Sequence, residues 1–239
     1  MRLVKCRIKD SNYADKFLYL KSLKLSQNSL QEFKGQWPSL IDLDLSENKL
    51  VDFNATCPSL KYLNLRENEF EKFPLIICKS SDLTDLDISF NRIEIIPNEI
   101  KNLRNLERFE VPSNRLTDID PVLLLFKLTY LNVSNNLVMK IPDGISNLQD
   151  LKNFSANYNQ LTKLPEELCK LERTSFSVNG NRKLLHIPDG ILALYPSRLN
   201  FHLTPAWTRW CFMNNLDLLD SNKKETLLAL IEAVDNNQD

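Results

Sequence analysis

The sequence of 239 residues has few of the residue types from which nucleotide and metal sites are built. Its four glycines are too scattered for a phosphate-binding loop or a dinucleotide fingerprint, both of which need clustered glycines. Its two histidines, His186 and His202, occur in no spacing that is typical of a metal site. We therefore expect no cofactor, no metal ion and no catalytic residues, and we interpret the chain as a protein that is not an enzyme.

An excess of charge of either sign is also missing. There are 30 lysines and arginines and 31 aspartates and glutamates, and the resulting net charge of −1 argues against a nucleic-acid partner, which needs a basic surface. The longest apolar run, residues 122–126, is far shorter than the roughly 20 residues that cross a bilayer. We expect neither a nucleic-acid partner nor a membrane span.

The cysteines do not form a disulfide pattern. Cys6, Cys57, Cys78, Cys169 and Cys211 are odd in number, scattered and without a Cys-x-x-Cys pair. The first ten residues contain no apolar core of the kind that signal peptides have. These features predict reduced thiols and a cytoplasmic location, which would be the host cytosol if a bacterium secretes the protein into another cell.

One repeated pattern dominates what the sequence does contain. Residues 20–30 read L-x-x-L-x-L-x-x-N-x-L, and the same frame returns seven more times, with the last copy weaker than the others. The marker asparagines of the eight copies are Asn28, Asn48, Asn68, Asn91, Asn114, Asn136, Asn159 and Asn181. They are 20, 20, 23, 23, 22, 23 and 22 residues apart, which indicates a stack of equivalent repeats.

This pattern resembles the leucine-rich repeat family of the intracellular type, with repeats of 20–23 residues. The resemblance implies an α/β fold, namely a right-handed horseshoe-shaped solenoid with a parallel concave sheet, an irregular or short-helical convex side and a helical C-terminal cap. It also implies that the eight marker asparagines form a structural ladder of hydrogen bonds to the backbone of neighbouring turns.

The convex side is predicted to differ along the chain. From the third repeat onward most repeats carry an apolar residue followed by proline, as in Phe73-Pro74 and Ile96-Pro97, with another apolar residue three places later. This spacing predicts a tight turn or short helix that buries the later apolar side chain. The first two repeats are shorter and lack this proline, so we expect a more extended convex side there.

The ends of the solenoid need caps, because a terminal repeat would otherwise expose its apolar interior. We divide the chain into an N-terminal capping strand and lead-in at 1–19, eight repeats at 20–194, and a degenerate strand with a two-helix cap at 195–239. The first capping strand uses Leu3, Cys6 and Ile8, and the last uses Leu199 and Phe201. The predicted helices begin near Thr204 and near Asn222, where capping residues stand.

The residues beside the inward leucines are predicted to face outward from the concave sheet, because side chains alternate along a strand. In repeats two to five these positions carry eight acidic and three basic residues, together with exposed aromatic side chains. Aromatic residues beside charges are typical of interface hot spots. The predicted partner-binding residues are Asp42, Asp44, Tyr62, Asn64, Arg66, Asp85, Asp87, Phe90, Arg108, Glu110, Tyr130, Asn132 and Tyr158.

The leading hypothesis is a monomeric protein-protein interaction module that binds a basic, or mixed apolar and basic, segment of another protein on its concave face. The repeats also resemble the eukaryote-like repeats of effectors from intracellular bacteria, which implies a possible action on host proteins. One alternative is the substrate-recognition half of a larger enzyme, such as a ubiquitin ligase. Two further alternatives are a partner site on the C-terminal helices and a polar sheet surface that only contacts water.

Overall fold

The computed structural model describes residues 1–6 and 17–184, together with Pro188, Gly190 and the backbone of residues 199–200. The described chain coils so that each turn adds one short strand to a parallel sheet on the concave side. The predicted solenoid, with a parallel concave sheet and short helical segments on the convex side, is therefore confirmed. No helix of these residues is long and apolar enough to cross a membrane.

The concave sheet contains nine parallel strands within the described residues. They are β1 (Ser22–Lys24), β3 (Asp42–Asp44), β5 (Tyr62–Asn64), β6 (Asp85–Asp87), β7 (Arg108–Glu110), β8 (Tyr130–Asn132), β9 (Asn153–Ser155), β10 (Ser175–Ser177) and β11 (Leu199–Asn200). Equivalent positions of successive repeats are aligned, as when Leu43 pairs with Leu23 on one side and with Leu63 on the other. The central residue of each three-residue strand of this sheet is buried, so its two neighbours point outward.

The convex side of the first two repeats is extended, as predicted. It consists of β2 (Glu32–Gln36) and β4 (Asp52–Thr56), which form a parallel pair. Beneath them Phe33 stacks with Trp37 and with Phe53, at ring-centroid distances of 5.2 and 5.7 Å. Because these repeats are 20 residues long, the return path has no residues to spare for a helical turn.

From the third repeat onward the convex side forms short 3-10 helices. The described ones are Leu75–Lys79, Asn98–Asn102, Asp120–Leu124, Asp143–Asn147 and Glu166–Lys170. In four of them a proline directly precedes the helix, where its fixed φ favours the turn and its carbonyl accepts the first hydrogen bond. The apolar residue three places after each of these prolines is buried, as the spacing predicts: Ile77, Ile100, Ile145 and Leu168.

The marker asparagines join neighbouring turns through their side-chain amides. Asn48 donates from Nδ2 to the carbonyl oxygens of Leu25 and Leu45, both at 3.0 Å, and its Oδ1 accepts the N–H of Leu30 at 3.0 Å. The other seven make equivalent bonds at Asn28, Asn68, Asn91, Asn114, Asn136, Asn159 and Asn181. One amide thus satisfies backbone groups of two repeats where the chain leaves the strand.

Residues without a marker asparagine extend the sheet at both ends. Arg2 bridges to Lys24 of β1, and the N–H of Leu3 donates to the carbonyl of Lys24 at 2.8 Å. At the other end β11 pairs with β10, with Leu199 aligned to Phe176. Outside the described residues lie the remaining predicted cap positions, Ile8, Phe201, Thr204 and Asn222, and the two helices expected to follow Thr204 and Asn222.

Candidate interaction face

The outward residues of the concave strands form two rows, which we call the first and second row of the concave face. The first row, from the start of each strand, is Ser22, Asp42, Tyr62, Asp85, Arg108, Tyr130, Asn153 and Ser175. The second row, from the end of each strand, is Lys24, Asp44, Asn64, Asp87, Glu110, Asn132, Ser155 and Ser177. The strand register therefore sets each side chain beside its counterparts in the repeats before and after it.

A third set of positions lies in the turn just before each marker asparagine. These turn positions have positive φ in all eight repeats. The values are between 51° and 58° at Gln27, Glu47, Glu67, Phe90, Ser113, Asn135 and Tyr158, and 70° at Gly180. Positive φ is unfavourable for large side chains, so the backbone gives no reason for an aromatic residue there. Phe90 and Tyr158 are nevertheless 44% and 60% exposed, which leaves both rings open to a partner.

An open depression of about 230 Å³ lies on the concave face between the second and fifth repeats. Seven of the 13 predicted partner-binding residues line it: Asp42, Tyr62, Asn64, Asp85, Asp87, Arg108 and Glu110. The buried leucines of β3, β5 and β6 form its floor. The other six predicted residues lie outside it, at Asp44, Arg66, Phe90, Tyr130, Asn132 and Tyr158.

Both arginines of this region are held by groups of the protein itself. The guanidinium of Arg66 lies over the ring of Phe90, 4.2 Å from its centroid, and contacts Glu67 at 3.0 Å. The guanidinium of Arg108 lies 3.7 Å from the centroid of Tyr130 and contacts Glu110 at 2.5 Å. These contacts fix both guanidinium planes and compensate their charge.

Several carboxylates of the same region have no such compensation. No ion pair within the described residues involves Asp44, Glu47, Asp85, Asp87 or Glu107. The nearby Asp42 lies 3.9 Å from Lys24, at the edge of the face. The imbalance of charge predicted for repeats two to five therefore leaves carboxylates that a partner cation could approach.

Asp87 is partly buried, as are Asp44 and Asp85. Burial raises its pKa above the ordinary value, and the nearby Glu110 acts in the same direction. Hydrogen bonds from the hydroxyl and the N–H of Ser89 oppose the shift, as does the charge of Arg66. An approaching cation would stabilise this carboxylate, because water stabilises it only in part.

The second half of the concave face, from the sixth repeat onward, is neutral and bonded to itself. Ser134 and Ser155 share a hydrogen bond at 2.8 Å, Asn157 donates to Ser155 at 2.9 Å, and Ser177 donates to Asn157 at 2.7 Å. Beside this network the ring of Tyr158 covers Gly180, at which a Cβ would lie 2.4 Å from the ring. The polar groups here already have partners, so they have less to offer a ligand.

The sequence did not reveal how the outward side chains pair with one another. Arg66, Phe90, Arg108 and Tyr130 were each predicted as partner-binding residues, but no pairing among them was predicted. The available signal is the repeat register, since Arg108 and Tyr130 occupy the same first-row position of consecutive repeats. The repeat register also relates two serine–aspartate pairs. The hydroxyl of Ser89 donates a hydrogen bond to Asp87, and the hydroxyl of Ser46 donates one to Asp44 at the equivalent positions of the second repeat.

Comparison with known proteins reveals related repeats. The Leucine Rich Repeat family matches residues 82–103 and 127–148. A stretch of 45 residues is 47% identical in sequence to part of the adenylate cyclase of Neurospora crassa. It covers 19% of this chain and 2% of that enzyme. The shared stretch therefore represents a small part of that much longer enzyme.

Solved structures share the fold of this chain. Internalin C2 from Listeria monocytogenes is 22% identical over 77% of this chain and 80% of its own, with a TM-score of 0.59. The plant peptide hormone receptor RGFR1, solved in complex with RGF2, is 25% identical over 77% of this chain and 35% of its own, with a TM-score of 0.61. A leucine-rich repeat protein of Leptospira interrogans is 22% identical over 79% of this chain and 62% of its own, with a TM-score of 0.52.

The repeat pattern, the strand of each repeat and the hydrogen bonds of the marker asparagines agree with these similarities. The matched region covers 35% of the RGFR1 chain and 62% of the Leptospira interrogans chain, so it represents only part of either relative. The similarities concern the repeats and their stacking. On these grounds the chain contains leucine-rich repeats and has the fold of leucine-rich repeat proteins.

Proposed function

We propose that this chain is a protein-protein interaction module whose concave face, in repeats two to five, binds a basic or mixed apolar and basic segment of a partner protein. Leucine-rich repeat proteins are typically modules of this kind, and the present face has the matching chemistry. The observation that carries the proposal is the set of carboxylates without ion pairs beside the open depression that contains Tyr62.

The arrangement favours a cationic partner for two physical reasons. Carboxylates on one concave surface reinforce each other's field, which speeds the encounter with a basic segment. The exposed rings of Tyr62 and Phe90 can bury apolar area without losing much side-chain entropy. Because Arg66 and Arg108 are already held in place, binding would not have to order them first.

The test is affinity capture from a eukaryotic cytosolic lysate, followed by a binding measurement with the captured partner. The first variant combines Asp44→Lys, Asp85→Lys and Phe90→Ala on the proposed surface. Its matched control combines Asp143→Lys, Glu166→Lys and Tyr19→Ala. The control makes the same change in net charge and also removes one exposed aromatic side chain, but it leaves repeats two to five intact.

The proposal expects the wild type and the control to capture the same partner and the first variant to lose it. Circular dichroism and thermal unfolding establish that all three proteins are folded. If the first variant retains the partner while the control loses it, the binding site lies elsewhere on the solenoid. A partner retained equally by all three proteins would exclude both surfaces.

A finer proposal concerns where the module acts and on what. We propose a monomer in the cytoplasm, or in a host cytosol if the protein is a bacterial effector acting on host proteins. The four cysteines within the described residues are free thiols, as such a compartment would keep them. Burial raises the pKa of Cys57 to about 12 and that of Cys78 to about 11, so these two resist oxidation. Fractionation of infected and uninfected cells with an antibody to the protein tests the location.

A second candidate function is substrate recognition for a larger enzyme. The observation in its favour is the 45-residue similarity to part of the adenylate cyclase of Neurospora crassa, in which such repeats accompany an enzyme. The two candidates differ in what happens to the partner. Mass spectrometry of the captured partner, taken from cells with and without the protein, would detect a chemical change only if the second candidate is correct.

A further inference from the structure

Tyr62 has a setting unlike that of any other aromatic residue on the concave face. In the first row its neighbours are two carboxylates, Asp42 in the repeat before and Asp85 in the repeat after. Its ring is 49% exposed and lines the 230 Å³ depression. Within the described residues no lysine or arginine lies over this ring, whereas Phe90 and Tyr130 each carry an arginine.

The arginines at Phe90 and Tyr130 show which group binds on this face where an aromatic ring lies beside a carboxylate. At Phe90 a guanidinium lies 4.2 Å from the ring centroid with the carboxylate of Glu67 beside it. At Tyr130 a guanidinium lies 3.7 Å from the centroid with Glu110 beside it. The combination on this face is thus an aromatic ring, a carboxylate and a guanidinium. Tyr62 has the ring and the carboxylates but no guanidinium of its own.

From this comparison we infer that the depression binds one arginine side chain of the partner, with its guanidinium stacked on Tyr62 and its N–H groups donated to Asp42 and Asp85. The inference rests on the proposed function and specifies the side chain that the concave face selects. Arginine is favoured over lysine because its planar group stacks on a ring and forks between carboxylate oxygens, whereas the ammonium group is compact and strongly hydrated.

The groups around the depression allow an additional cation. Arg108 lines the far wall, but Glu110 and the ring of Tyr130 hold its guanidinium. The Asp42 carboxylate accepts a hydrogen bond from the hydroxyl of Ser22 at 2.8 Å and lies 3.9 Å from the ammonium group of Lys24. Among the hydrogen bonds of the described residues, the Asp85 carboxylate accepts one from the hydroxyl of Thr84, at 2.7 Å, and no other. It is therefore the main carboxylate for the incoming arginine.

The test compares two synthetic peptides of 12 residues that differ only in their cations. Both are made of glycine, serine and one leucine, with arginine at three positions in the first peptide and lysine at the same three in the second. Fluorescence anisotropy at low salt measures their affinity for the wild-type chain, for Tyr62→Leu and Tyr62→Phe, and for Tyr19→Leu, which changes an exposed tyrosine outside the predicted partner-binding residues. The leucine variants keep apolar bulk and remove the π face, and the phenylalanine variant keeps the ring.

We expect the wild type to bind the arginine peptide about five- to tenfold more tightly than the lysine peptide, as a cation–π contact predicts. Tyr62→Leu should reduce this preference to within about twofold, with little change in affinity for the lysine peptide. Tyr62→Phe and the control Tyr19→Leu should both keep the preference.

Three results would overturn the inference. If the wild type binds both peptides equally, the face has no arginine site, although the proposed function stands. An arginine preference that survives Tyr62→Leu would place the selective contact at another residue. If neither peptide binds, both the inference and the proposed recognition of basic segments fail together.

Discussion

The two halves of the concave face share a backbone and differ in surface chemistry. The concave strands β3, β5, β6 and β7 have the same length as β8, β9 and β10, with the same parallel register and the same asparagine bonds beneath them. The first half presents carboxylates without ion pairs, whereas the second presents serines and asparagines bonded to one another. Exposed rings occur in both halves, at Tyr62 and Phe90 in the first and at Tyr158 in the second.

This difference shows that inward residues determine the sheet and leave the outward residues free to vary. A leucine or phenylalanine at the centre of each strand and an asparagine after it are enough to stack a repeat. Nothing in the stacking requires Asp85 in one repeat or Ser155 in another. Asp44 and Asp87 do accept backbone N–H groups at the ends of their strands, but the neutral Asn64 and Asn132 accept the equivalent groups. The solenoid therefore does not need the negative charge at these positions, and we assign that charge to binding.

The largest expected effect is on stability, and it should be the same in both halves. Asn68→Ala and Asn159→Ala each leave buried backbone groups of two repeats without partners. Each should lower the free energy of unfolding by about 3 kcal/mol or more, measured by urea titration. A loss confined to one half would contradict the equivalence of the two backbones.

The next largest effect is on affinity for the captured partner, and it should differ between the two halves of the concave face. Asp85→Lys should weaken binding of the captured partner by about thirtyfold, because it replaces an attractive charge with a repulsive one at the depression. Ser155→Lys, in the second row of the second half, should change affinity by less than about twofold. Calorimetric titration of both variants measures the ratio, and equal losses would remove the functional distinction between the halves.

A smaller effect belongs to the second half alone. Gly180 has a φ of +70°, and a Cβ there would lie 2.4 Å from the ring of Tyr158. Gly180→Ala should therefore reduce the free energy of unfolding by about 1–2 kcal/mol. Ser113→Ala, at the equivalent turn position of the fifth repeat, is the control and should change it little, since a Cβ is already present at positive φ. A neutral Gly180→Ala would mean that Tyr158 moves aside freely.

The smallest effect concerns the buried charge of the first half. Because burial raises the pKa of Asp87, folding favours its protonated form, and the carboxylate costs stability above the ordinary pKa of 3.8. Asp87→Asn should raise the thermal midpoint of unfolding at pH 7. The rise should be smaller than the few degrees that a change of about 1 kcal/mol in the free energy of unfolding produces in a chain of this size. Asn64 and Asn132 occupy the same row and already accept equivalent N–H groups.

The pH dependence checks the cause of that effect. The gain should disappear as the pH falls below 3.8, where Asp87 is protonated in both the folded and the unfolded chain. A gain of equal size at low and neutral pH would show that packing, not charge, distinguishes asparagine from aspartate here.

The sequence predicts the scaffold better than the surface. The spacing of leucines and asparagines places every strand from β1 to β10, and the missing proline of the first two repeats predicts the extended β2 and β4. These features follow from one residue pattern and from chain length. By contrast, the stacking of Arg108 on Tyr130 and the contact of Tyr158 with Gly180 depend on side-chain rotamers between repeats, which no periodic pattern specifies.

The most direct test of the proposed surface is site-specific photo-cross-linking to the captured partner. A benzophenone amino acid is placed at position 64, beside the depression, or at position 155, in the same row of the second half. Binding by repeats two to five predicts a strong cross-link from position 64 and little or none from position 155. A cross-link from position 155 alone, with a folded and binding-competent protein labelled at position 64, would contradict it.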